Sequence, residues 1–298
     1  MRSFVECVYC YLKQAANCMS VAGIDEDRQY RFLFELMDDI KVMDRNRTPA
    51  ENSTEILHKV YRLINNSDPY KEIKERTNLL ALEWYPLLKD ILKKSENRLP
   101  DALKISVSGN VIDLGINRSF DLEASLKQSL DAGFSKDDSV LFMKKLDKVD
   151  ELVIVGDNAG EIVFDRLLVE ELSSMGKMVT YIVKGGPVLN DATMEDAVQA
   201  GMDKVARVIT TGSNYLGAPL HIIAGETVKL IREAGLVIAK GQANFESLEH
   251  EETVKGRVFF LLKIKCECVA KAAGAKFGDV VFFISPDDLK SNPGRTRL

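Results

Sequence analysis

Apolar residues recur along the chain in two different ways, and the change falls near Pro100. Before it, hydrophobic positions keep helical spacing. A first helix is predicted over Ser3 to Ser20, and Phe32, Leu33, Leu36, Met37 and Ile40 mark one face of a second from Asp25 to about Met43. Thr48-Pro49 and Asp68-Pro69 each place an N-cap residue before a proline at the first helical position, where its missing N–H costs nothing, so two more helices start there. Pro86 lies inside the second of these and is expected to bend or split it. Beyond Pro100, the short β-rich runs Leu152–Gly156, Val179–Lys184, Arg207–Thr211 and Leu236–Ala239 alternate with helical patterns over Glu161–Met175, Met194–Ala200 and Ala218–Ala234. Such alternation predicts βαβ units, an α/β fold whose mostly parallel sheet is covered by helices on both faces. Val258–Lys265 and Val280–Ile284 are expected to add strands at an edge, while Ile105–Asp113 reads equally as strand or helix.

Composition sharpens the division. Gly23 is the only glycine in the first 100 residues, leaving 18 of 19 for the rest, as expected if a helical part precedes an alternating one. Residues 1–100 carry 16 Lys/Arg and 16 Asp/Glu, so the remainder carries 24 against 29 and the whole net charge of -5. With no global positive field, nucleic acid is not an expected partner. No apolar run reaches the roughly 18 residues of a membrane span, and Glu6 and Lys13 interrupt the start where a signal peptide would be apolar, so no membrane association and a cytoplasmic location are expected.

In an open α/β sheet, ligands bind beyond the carboxyl ends of the strands. The four residue sets in that position are Gly156–Glu161, Lys184–Thr193, Thr210–Gly217 and Lys240–Glu246. Taken singly, Asp157-Asn158 or Asn190-Asp191 is an ordinary turn or helix cap. Together, Asp157, Asn158 and Asp191 offer oxygen ligands suited to a hard divalent cation such as Mg²⁺ or Mn²⁺, and Lys240 adds a positive charge for a phosphate. Glycine-rich turns and the start of the helix near Gly160 would complete an anion cradle. These loops contain no cysteine or histidine, which argues against zinc there.

The motifs GNVIDLG (Gly109–Gly115), DNAGEIVFDRLLVEEL (Asp157–Leu172), KGGPVLNDATMEDA (Lys184–Ala197) and AKGQANFE (Ala239–Glu246) resemble those of the metal-dependent damage-control phosphatases, long catalogued as domain of unknown function eighty-nine. The N-terminal CxxC and C-terminal KC are similar to those of that family's prokaryotic branch. The resemblance implies an all-helical N-terminal domain, residues 1–100, beside a three-layer α/β/α catalytic domain with a Rossmann-like sheet, residues 101–298. It implies hydrolysis of small phosphate esters, sugar phosphates among them, with a divalent metal: Mn, Mg, Co or Ni. Asp157, Asn158 and Asp191 look like the metal ligands, Asp157 and Lys240 like the catalytic pair. Asn110, Asp113, Glu161, Gly185, Gly186, Ser213, Gly241 and Asn244 look like substrate contacts. The resemblance also implies that the stretch before Gly109 is a helix end delivering Asn110 to the site. The DxDx[TV] pattern of haloacid-dehalogenase phosphatases is absent at Asp157, so their two-aspartate mechanism does not carry over.

Cys7, Cys10 and Gln14 fall at i, i+3 and i+7 on the first predicted helix, and Cys18 returns to nearly the same face. A cluster of Cys7, Cys10 and Cys266 could hold a second, soft metal; buried free thiols packing the helix are the equal alternative. Two other classes stay open: an S-adenosylmethionine-dependent methyltransferase, disfavoured because GDNAGE is not a G-x-G turn, and a non-enzymatic thiol-based metal or redox sensor. Homo-oligomer formation stays open as well.

Overall fold

The computed structural model describes residues 1–109 and 130–284. Among the described residues, seven strands form one sheet: β1 (Lys136–Asp137), β2 (Glu151–Val155), β3 (Met178–Val183), β4 (Arg207–Thr210), β5 (Val237–Lys240), β6 (Val258–Lys263) and β7 (Val280–Ile284). Their order is β1-β7-β6-β5-β2-β3-β4, and every pairing is parallel except β6 with β7. The chain is an α/β protein. Because β5, β2 and β3 are adjacent, the loops after these strands open on one sheet edge.

Successive strand residues face opposite layers. Leu152, Ile154, Tyr181, Ile238, Phe259 and Phe282 pack into one core, and Val153, Val155, Ile182, Val237, Phe260 and Phe283 into the other. Both faces are apolar, which is why the strands read as continuous hydrophobic runs. Helices α4 (Lys71–Lys94), α5 (Arg98–Ser108), α6 (Ser139–Leu146), α7 (Glu161–Ser174) and α8 (Met194–Ala200) cover the first face. Helices α9 (Gly225–Glu233), α10 (Gly241–Leu248) and α11 (Glu267–Ala273) cover the second. A third core forms between α1 (Val5–Val21), α2 (Glu26–Lys41) and α3 (Pro49–Ile64), and it takes in Val188 and Leu216 from the loops after β3 and β4. Among the described residues no helix is long and apolar enough to cross a membrane.

Local signals explain several boundaries. Thr48 caps α3 in a reciprocal box, its Oγ1 accepting from Glu51 N at 3.2 Å while Glu51 Oε2 accepts from Thr48 N at 3.1 Å. Asp68 does not cap α4; its carboxylate instead lies 3.3 Å from the buried Lys74, and the helix begins at Lys71. Nor does Pro86 split α4, which continues to Lys94 because Ala81, Leu88 and Leu92 on either side of the proline are buried in one core. The helix expected over Ala218–Ala234 covers only Gly225–Glu233. Pro219 and a hydrogen bond from Ala224 N to Thr211 O, 2.8 Å, tie the preceding residues to the end of β4. The ambiguous Ile105 region is the end of α5.

Candidate active site

Strand β2 ends at Val155, and the next residues are stitched to the loop after β3. Ala159 N donates to Asn190 O at 2.9 Å and Ala192 N to Asp157 O at 2.8 Å, an antiparallel bridge that sets Asn158 opposite Asp191. The main chain therefore brings Asp157, Asn158 and Asp191 together, with both carboxylates buried. Asn158 Nδ2 donates to Asp157 Oδ2 at 2.8 Å and to Glu161 Oε2 at 3.3 Å, so its amide oxygen is the atom it can offer a cation. Burial, and then the charge of Asp191, push the Asp157 carboxyl up to about 6. Burial pushes Asp191 up to about 6 and Glu161 up to about 7.

The end of β5 closes the opposite side. Gly241 has φ +77°, and a Cβ there would fall 2.0 Å from Asp157 Oδ2. Asn244, on the first turn of α10, donates from Nδ2 to the carbonyls of Gly156 at 3.0 Å and Lys240 at 2.7 Å, fastening the ends of β2 and β5 together. Its Oδ1 is buried without a hydrogen-bond partner among the described residues.

Lys240 is fully buried. Its Nζ lies 2.5 Å from Asp165 Oδ1, 2.7 Å from Glu161 Oε1 and 2.6 Å from Ser106 Oγ at the end of α5. Asp165 is saturated by Ser106 and by Tyr181 OH, 2.6 Å from its Oδ2. The lysine expected to reach a phosphate thus serves two acids of α7. Lys184 is likewise enclosed, donating to Gly217 O at 2.6 Å and standing 3.5 Å from Asp191 Oδ2. Lys265, exposed just beyond the carboxyl end of β6, exerts the largest cationic pull on Asp157, ahead of Lys184 and Lys240.

Gly185 places the loops after β3 and β4 in backbone contact. Its N–H donates to Ser213 O at 2.8 Å, and a Cβ at 185 would meet Ser213 N at 2.4 Å. Gly186 follows against Asn214, and Ser213 Oγ accepts from Tyr215 N at 3.2 Å. At the start of α7 the expected anion cradle is already taken: Gly160 N donates to Asn78 Oδ1, Ile162 N to Asn158 O and Val163 N to Gly160 O. Asn110 and Asp113 lie outside the described residues.

The donor set fits a hard divalent cation. Two buried carboxylates and the Asn158 amide are brought together, and among the described residues Asp191 Oδ2 has no hydrogen bond, with Lys184 Nζ 3.5 Å away. Among the described residues no group of three or more His, Cys, Asp or Glu is disposed to hold a metal ion. That includes the cysteines, all five of which are free. Cys7, Cys10 and Cys266 are near enough for their charges to interact, and burial raises each thiol. Cys266 Sγ caps α11 by accepting from Val269 N at 3.4 Å, and Gln242 Nε2 reaches the same sulfur at 3.6 Å. His221 pairs with Glu51 at 3.0 Å, away from the carboxylates.

Sequence reasoning missed Asp165, Tyr181, Ser106, Asn78 and Lys265 as parts of this arrangement. Only Asp165 left a trace: with Glu161 it forms an i, i+4 pair of acids flanking the buried apolar run Ile162, Val163 and Phe164.

This architecture recurs in known proteins. The sequence profile described as Damage-control phosphatase ARMT1-like domain matches residues 3–281. An uncharacterized protein of Methanocaldococcus jannaschii is 36% identical over 283 residues, 93% of each chain. A Pyrococcus horikoshii protein named a damage-control phosphatase is 32% identical over 284 residues, 94% of this chain and 97% of that one. An Archaeoglobus fulgidus protein of the same name is 33% identical over 285 residues, 92% and 96% respectively. The crystal structure of a DUF89 family protein from Pyrococcus horikoshii aligns with a TM-score of 0.89 at 31% identity, covering 96% of this chain and all of that one. The chain belongs to the damage-control phosphatase family.

Proposed function

We propose that this phosphatase hydrolyses small phosphorylated metabolites, sugar phosphates among them, with a divalent cation held by Asp157, Asn158 and Asp191. The observation that carries the reading is the main-chain bridge between Asn158 and Asp191, which puts two buried carboxylates and an amide side by side at the strand ends. Bound there, Mg²⁺, Mn²⁺, Co²⁺ or Ni²⁺ would supply Lewis-acid stabilisation of charge on a phosphoryl oxygen.

The protein's own groups divide the remaining work. Gly185, Gly186 and Ser213 line the side on which a phosphate would rest, close to backbone that tolerates no side chain at 185. Lys265 supplies the positive charge that an incoming ester meets. Lys240 and Lys184 offset the buried acids; without them Glu161 and Asp191 would be raised still further. Glu161 and Asn244 hold Asn158 and the ends of β2 and β5 in place, and Gly241 leaves room for the Asp157 carboxylate. Helices α1 to α3, whose core takes in Val188 and Leu216 from these loops, set which metabolite fits.

Phosphate release from a panel of sugar phosphates and other esters, with each metal in turn and with chelator, tests the reading. Turnover that requires a divalent metal is expected; no metal-dependent turnover on any ester would sink it.

A further inference from the structure

One fully buried side chain of α4 is linked to both of the loops that carry the metal-ligand candidates, to the first directly and to the second through Asp196. Asn78 Oδ1 accepts the N–H of Gly160 at 2.6 Å, and Gly160 follows Asn158 by two residues in a left-handed conformation. Asn78 Nδ2 donates to Asp196 Oδ1 at 2.9 Å and to Gln199 Oε1 at 2.8 Å. Asp196 in turn accepts from both the N–H and the hydroxyl of Thr193, each at 2.8 Å, and Thr193 follows Asp191 by two residues. The buried Lys74, one turn before Asn78, stands 3.5 Å from Asp196 and keeps that carboxylate compensated. A continuous path of hydrogen bonds thus runs from the Asp157-Asn158 loop through Asn78 and Asp196 to the Asp191 loop.

We infer that Asn78 is a positioning residue for the divalent cation: it fixes the spacing of the two loops before the metal arrives, so that binding spends no free energy on ordering them. An amide suits the task because it must accept from a main-chain N–H on one side and donate to a carboxylate on the other. Leucine at this position would leave the Gly160 N–H and one Asp196 oxygen unpaired in a dry interior, and the loops would be free to part. The inference rests on the metal reading above.

The test is calorimetric titration of Mn²⁺ into the whole protein without substrate, for native, Asn78→Ala and Asn78→Ser, with kcat measured as a function of Mn²⁺. The expected result is a Kd weakened about tenfold in both variants, the size of effect seen when groups supporting metal ligands are removed, with kcat restored at saturating Mn²⁺. Gln199→Ala, which removes only the acceptor that leads to neither loop, should bind as the native protein does. If Asn78→Ala does not fold, Asn78→Ser, which keeps a short polar group, is read in the same way. Native-like Mn²⁺ affinity in a folded Asn78 variant, or a loss of kcat that excess metal does not restore, would overturn the inference. A native protein that binds no Mn²⁺ would instead overturn the metal reading itself, and the positioning role with it.

Discussion

Gly241 and Asp157 occupy each other's space: the carboxylate lies where a side chain at 241 would be, 2.0 Å from an ideal Cβ, and the glycine holds φ +77°. Both the close approach and the left-handed backbone require glycine. Gly241→Ala is expected to cost about 1–3 kcal/mol in a denaturant titration and to displace Asp157, so metal affinity should fall with stability. An alanine variant as stable as native, with unchanged metal binding, would contradict this geometry.

The raised carboxyls predict a pH dependence of definite sign. Asp157 and Asp191 reach about 6 and Glu161 about 7 when folded, against roughly 4 in an unfolded chain. Between pH 4 and 7 the folded state therefore binds more protons than the unfolded one, and these groups make metal-free stability fall as pH rises. Metal competes with those protons, so its apparent affinity should rise across the same window and level off above about pH 7. Thermal unfolding of chelated protein from pH 4.5 to 7.5 checks the first statement; Asp191→Asn should flatten the slope. Metal titrations over that range check the second.

Two lysines should separate stability from substrate binding. Lys240→Met leaves Glu161 and Asp165 buried without their cation and is expected to destabilise the protein by about 3–5 kcal/mol. Lys265→Met, at an exposed position whose charge acts on Asp157, should destabilise the protein far less than Lys240→Met while raising KM for phosphate esters. Denaturant midpoints and steady-state kinetics on the two variants distinguish the roles. Equal KM for Lys265→Met and native would remove Lys265 from the substrate path.

Tyr61 holds the second loop much as Asn78 holds the first. Its hydroxyl accepts from Leu189 N at 2.9 Å, and Leu189 is a non-glycine residue at φ +45°, two positions before Asp191. Tyr61→Phe should lower stability by about 1 kcal/mol and weaken Mn²⁺ binding, measured by denaturation and calorimetry.

Strands β2, β3, β5 and β6 were legible because parallel strands buried on both faces are apolar almost throughout, and Asp157, Asn158 and Asp191 were legible because polar residues follow such strands directly. The two-residue β1 is too short to leave a pattern. The partners of Lys240 were not legible, since nothing local distinguishes a lysine bound by Asp165, 75 positions earlier, from one facing an anion. Asn78 sits in a helix of mixed polarity, and its importance comes from touching residues 82 and 118 positions away. Similarly, α4 and α5 share the sheet's core through residues such as Leu88 and Leu103, a matter of tertiary packing that a glycine count cannot foresee.

The central claim is that Asp157 and Asp191 hold the cation on which ester hydrolysis depends. Calorimetric Mn²⁺ binding and phosphate release, measured side by side on native protein, Asp157→Asn and Asp191→Asn with folding verified by circular dichroism, test it most directly. The account predicts that both substitutions abolish metal binding and turnover together while the fold remains. A variant that binds no metal yet still hydrolyses phosphate esters at the native rate would contradict it.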